Sequence, residues 1–116
     1  MNSPLQQLIE SRLPFAGVAA WAARMPDHAA GQESFVDWFS PDQLAQLLAL
    51  MIQAAENLPR HHFEPQGLCW VFEHARVHLA ARPDGAYLAL FVENRPEVQA
   101  AAIQDLLASF RALPEL

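Results

Sequence analysis

The sequence predicts a three-layer α/β/α fold of the α+β class, a five-stranded antiparallel sheet with helices on both faces in the order α-β-β-α-β-β-β-α. Three observations lead there. Gly17–Arg24 and Ala86–Glu93 are apolar at odd and even positions alike, the pattern of strands covered on both sides. Three other segments repeat apolar residues at helical spacing. The chain has 116 residues, 53% of them hydrophobic and 17% charged, which suits one domain over 1–116 with a single core. The two double-sided strands should be neighbours at the centre of the sheet, with the three others nearer its edges.

The first helix covers residues 4–12. Ser3 is a natural N-cap, Pro4 suits the first helical position, and Leu5, Leu8 and Ile9 share a face. Pro14 ends it, and the double-sided strand Gly17–Arg24 follows. Met25 to Gln32 holds Pro26, Asp27 and Gly31, residues of turns, so a hairpin with a long loop is expected before the aromatic strand Ser34–Phe39.

Ser40-Pro41-Asp42 supplies a cap, a proline and a first-turn acid, and starts a helix running to about Asn57. Pro59 closes it. The next strand is Leu68–Glu73, rich in aromatic and β-branched residues. From Leu68 to Arg82 there is no Gly, Pro, Asn or Asp, yet fifteen residues are too many for one ordinary strand. A tight turn at His74-Ala75 resolves this, giving a strand Arg76–Arg82 with Val77, Leu79 and Ala81 inward; one bent strand is the alternative. Pro83-Asp84-Gly85 makes a hairpin turn into Ala86–Glu93. The last helix begins near Pro96, with Val98, Ala102, Ile103, Leu106, Phe110 and Leu113 on one face.

Charge narrows the function classes. The formal net charge is -6; residues 1–58 hold two arginines against six acids, and residues 59–116 five against seven. No basic face is expected, and nucleic acid or an anionic membrane surface would need one. The longest apolar stretch, Leu13–Ala23, is too short to span a bilayer, and with Glu10 just before it and Arg12 as its only nearby cation it makes a poor signal peptide. The chain has no lysine or threonine, a bias we read as genomic. Cys69 has no internal partner for a disulfide, which favours a cytoplasmic setting.

Catalytic signatures are missing from the pattern. Cys69 lies between Leu68 and Trp70 with no cation near it in sequence, and is expected in the core as a small hydrophobe. His61 and His62 are adjacent, whereas the helical zinc pattern needs a spacing of four. His74 and His78 are separated by the expected turn and read as surface residues. Asp37 and Glu73 read as solvent-facing positions on edge strands. The four glycines, at 17, 31, 67 and 85, form no phosphate loop. No cofactor, metal or catalytic residue is expected, and the isolated arginines are read as solubilising the surface.

The central helix says more. Its wheel places Leu44, Leu47, Leu48, Met51, Ala54, Ala55 and Leu58 toward the sheet, with Ile52 at the margin. Leu50 projects on the polar side between Asn57 and Gln43, while Ala45 and Ala49 make an opposite flank free of bulky or charged groups. An apolar arc this wide on a helix of a small domain points to self-association.

The element order, with Pro-Phe-Ala-Gly-Val at the first strand and Gly-Leu-Cys-Trp-Val after the long helix, resembles the roadblock family of the longin-profilin type, which includes dynein light chains and bacterial gliding-protein partners. The resemblance covers nearly the whole chain and rests on order, length and spacing, with no invariant motif. It implies a non-catalytic homodimer that presents a composite surface to a small Ras-like GTPase. It also implies that the central helix and the strand after it form the dimer interface, here Ala45, Ala49 and Leu50 with Cys69 and Val71. The expected loop Met25–Glu33 departs from the short Asp-Gly turn usual in the family. A small acidic dimeric secretion chaperone, which holds an unfolded client segment, is the rival reading; such chaperones usually place three strands before the middle helix and two after it.

Overall fold

The computed structural model describes residues 4–12, 17–27, 29–35, 40–56, 68–71, 75–82, 84–93 and 100–113. In chain order these form α1 (Pro4–Arg12), β1 (Val18–Arg24), β2 (Ala30–Ser34), α2 (Pro41–Glu56), β3 (Leu68–Val71), β4 (Ala75–Ala81), β5 (Tyr87–Glu93) and α3 (Ala100–Ala112). The five strands make one antiparallel sheet in the order β2-β1-β5-β4-β3. The two double-sided strands, β1 and β5, are neighbours. Their register pairs Trp21 with Leu90 and Ala23 with Leu88 on one face, and Ala22 with Ala89 on the other.

That alternation divides the core into two layers. Ala23, Leu88, Leu90 and Val92 pack with Leu5 and Ile9 of α1 and with Ile103, Leu106 and Phe110 of α3. Ala20, Ala22, Ala89 and Phe91 pack with Leu44, Leu48, Met51, Ile52 and Ala55 of α2. The fold is therefore the expected α/β/α sandwich, with α1 and α3 on one side and α2 on the other. Small residues on β1 let the sheet accept a helix on both faces, and the bulk comes from β5 and the helices.

Local chemistry sets the boundaries. Ser40 Oγ accepts from the Gln43 amide at 3.2 Å while Gln43 Oε1 accepts from the Ser40 amide at 2.9 Å, a reciprocal cap that starts α2. Gly85 has φ +93°, the left-handed turn position a glycine supplies. Its amide donates to the Arg82 carbonyl, and the Arg82 amide donates to Ala86, closing the β4–β5 hairpin. Asp84 accepts from the Ala86 amide at 3.1 Å and from Arg82 Nε at 3.1 Å.

Several expectations are corrected. The first hairpin is short: the Met25 amide donates to the Ala29 carbonyl at 2.7 Å and the Ala29 amide to Asp27 Oδ1 at 3.0 Å, so β2 begins at Ala30 instead of Ser34. An Asx turn starts the strand ahead of the aromatic run: once Arg24 pairs with Ala30 the ladder fixes every residue to Ser34. The Met25–Glu33 loop thus shrinks to Met25–Ala29. Ala75 is the first residue of β4, facing Glu93, so it belongs to no turn. In α2 the buried arc is rotated toward Ile52, and Ala54 is exposed; burying an isoleucine removes more apolar area from water than burying an alanine. Leu107 joins the buried face of α3, and Ala80 is buried beneath that layer, so β4 is covered on both faces. Ser3, Pro14, residues 36–39, Leu58, Pro59, His74, Pro83, Pro96 and Val98 lie outside the described residues, as does any β3 extension to Glu73.

Candidate functional site

The five residues expected at an interface are all at the surface, but the fold does not gather them into one patch. Ala45, Ala49 and Leu50 lie on the outer side of α2, exposed. Leu50 is 62% exposed and Val71 72%, the large apolar side chains left open among the described residues. Cys69 pairs with His78 and Val71 with Arg76 on the β3–β4 ladder. His78 and Arg76 in turn face Leu90 and Val92, whose side chains belong to the α1/α3 layer. Directly opposed residues share a face, so Cys69 and Val71 project away from α2. Trp70, between them, points the other way and packs against the α2 layer.

Cys69 is exposed, which overturns the core reading. β3 is the outermost described strand, and none of the described helices covers this end of the α1/α3 face tightly enough to bury the thiol. Partial burial against the neighbouring strand still pushes the thiol above its ordinary value, outweighing the opposite pull of Arg76. A thiol held protonated is a weak nucleophile. Its neighbour His78 is half-buried, with no hydrogen-bond partner at Nε2. Burial, and secondarily the Arg76 charge, hold its imidazole below the usual histidine range. The signal that sequence reading missed is Arg76, which pairs with Val71 two rungs along the ladder and so stands on the same face as Cys69.

On the other face, the C-terminal end of α2 is tied to the sheet. Arg24 Nη2 lies 3.6 Å from Glu56 Oε1, Tyr87 donates to the same carboxylate at 3.3 Å, and the Arg24 guanidinium sits 5.2 Å from the Tyr87 ring centroid. Arg82 donates to the Phe110 carbonyl at 2.7 Å and pairs with Asp84 at 3.0 Å, anchoring the end of α3. Arg12 lies 3.9 Å from Asp105. These arginines join elements together, a role beyond the solubility expected of them.

Among the described residues no group of three or more histidine, cysteine or acidic side chains comes together to hold a metal. None of the described helices is long and apolar enough to cross a membrane. His61, His62, His74, Asp37 and Glu73 lie outside the described residues. Compared with family models and with curated proteins, the sequence matches none.

Proposed function

We propose that this chain is a non-catalytic, cytoplasmic scaffold or regulator that homodimerises and presents its composite surface to a small Ras-like GTPase or a related protein partner, as its resemblance to the roadblock family implies. One observation carries the reading: Leu50, in the middle of α2, is 62% exposed on the side of the helix turned away from its own core. A solvated leucine in the middle of the exposed face of α2 offers an apolar anchor to a second helix, and the exposed Ala45 and Ala49 on the helix's other flank add no bulk. The strand count supports this reading over a secretion chaperone, since two described strands precede α2 and three follow it.

Such a protein acts by shape. It contributes no group to nucleotide chemistry and shifts its partner toward whichever conformation it binds more tightly. Analytical ultracentrifugation of the full chain tests the first half, with a dimer expected at tens of micromolar, roughly the range of an association worth -6 to -7 kcal/mol. A monomer throughout that range removes the dimeric platform. The second half is tested by adding a purified small Ras-like GTPase loaded with GDP or a GTP analogue. Unequal affinities are expected, and no binding in either state overturns the partner assignment.

A further inference from the structure

A cleft of about 500 Å³ opens between α1 and the β1–β2 hairpin, on the face of the sheet opposite α2 and away from the surface invoked above. Its walls are apolar, with Leu5 and Ile9 on α1 and Trp21 and Met25 along the sheet side. The space exists because the residues around the indole are small. A Cβ at Gly31 would stand 3.3 Å from the Trp21 ring, and Ala23 and Ala29 line the rest. The volume and the mixture of apolar wall with a few polar groups are those of a small-molecule site.

The polar groups have one sign. Glu10 comes from α1, with Gln6 beside it, and Glu33 from β2; no basic residue lines the cleft among the described residues. Glu10 accepts from Gln6 at 3.3 Å, which orients its carboxylate at the helix side of the mouth. Arg12 and Arg24, the arginines nearest in sequence, are paired with Asp105 and Glu56. An indole and two carboxylates lining one cleft, in a chain of formal charge -6, attract cations and repel anions. We propose that this cleft binds a small organic cation, an amine, amidine or guanidine carried on an apolar or aromatic body, with the body against Trp21 and the charge between Glu10 and Glu33.

Benzamidinium is a suitable probe, with benzamide and benzoate as neutral and anionic controls of the same shape. In ¹H–¹⁵N spectra of the full chain the indole N–H of Trp21 is identified by its loss in Trp21→Phe. Benzamidinium should shift that signal saturably, and the two controls should not. Glu33→Gln, at an exposed position, should weaken binding about threefold to fivefold. Ala29→Trp, also exposed, should fill the cleft and abolish the shift. A shift that does not saturate, equal binding of benzamide or benzoate, or full binding by Ala29→Trp would each overturn the proposal.

Discussion

Leu50 and Val71, both open to solvent, lie on opposite sides of the sheet: Leu50 rides on α2, while Val71 projects toward the α1/α3 layer. A flat partner can cover one of them but not both. The resemblance to the roadblock family groups them in one interface, and the register of β3 separates them into two. Which of the two patches meets a second copy is therefore a question with distinguishable answers.

Gly85 sits at φ +93° with nothing within 4 Å of the position a Cβ would take. Its substitution is therefore a pure test of backbone conformation, free of steric contact. Gly85→Ala should lower stability by about 1–2 kcal/mol, the cost of a left-handed L-residue, and Gly85→Asn by less, since asparagine tolerates that region better. Urea midpoints of the two variants check the order; equal midpoints would show that the hairpin relaxes into another turn.

Much of this frame was legible in the sequence, and its exceptions share a cause. Patterns that depend on one element at a time were readable: the doubled apolar runs of β1 and β5, the Ser40 cap, the glycine turn. Where two elements compete, local pattern failed. Propensity favoured a strand starting at Ser34, yet the turn closed by Asp27 starts the pairing at Ala30. The facing of β3 was hidden for the same reason. Nothing within Leu68–Val71 says which side Cys69 takes; that follows from its pairing with His78, nine residues later. The proposed cleft has no sequence signature, because Glu10 and Glu33 line it from two different elements.

His78 gives a pH dependence of known sign. Its imidazole is held below the ordinary value by burial and then by Arg76, so on acidification the unfolded chain takes up the proton first. Protonation thus favours unfolding, and stability should fall as pH drops below about 6.5, the unfolded value. The fall should level off once the folded imidazole also protonates. His78→Gln should remove this portion of the slope, read as the difference between variant and wild type in denaturation midpoints at pH 7.5 and 5. An identical slope in the variant would mean that other groups control the region.

Asp84 gives the complementary acid limb. Its carboxyl is held below the usual range, chiefly by the hydrogen bond from Arg82 and also by the Ala86 amide. A depressed carboxylate stabilises the fold above its unfolded value, about 3.9, and loses that contribution as pH falls through its lower folded value. Asp84→Asn should be less stable than wild type at pH 7, and the gap should narrow as pH falls below about 4. Because Arg82 also donates to the Phe110 carbonyl, hydrogen exchange near the end of α3 should rise in the variant. A gap that stays constant with pH would assign the loss to geometry instead of charge.

The last prediction separates the two exposed patches. If α2 meets its copy through Leu50, then Leu50→Glu forfeits roughly 1.5–3 kcal/mol of side-chain burial in each subunit and sets a carboxylate in a desolvated contact. A two-fold interface repeats the same change on both sides, so the damage doubles. The variant should sediment as a monomer, while Gln104→Glu, exposed on α3 across the sheet from α2, should stay dimeric. Val71→Glu should also stay dimeric, because Val71 lies across the sheet from α2. The opposite pair of results, Val71→Glu monomeric and Leu50→Glu dimeric, would move the interface to the free edge of β3 and leave Leu50 for another partner. Because Leu50 is already solvated in the single chain, its replacement by glutamate costs the fold little, so a loss of dimer in Leu50→Glu with an unchanged unfolding midpoint at low concentration reports on association alone.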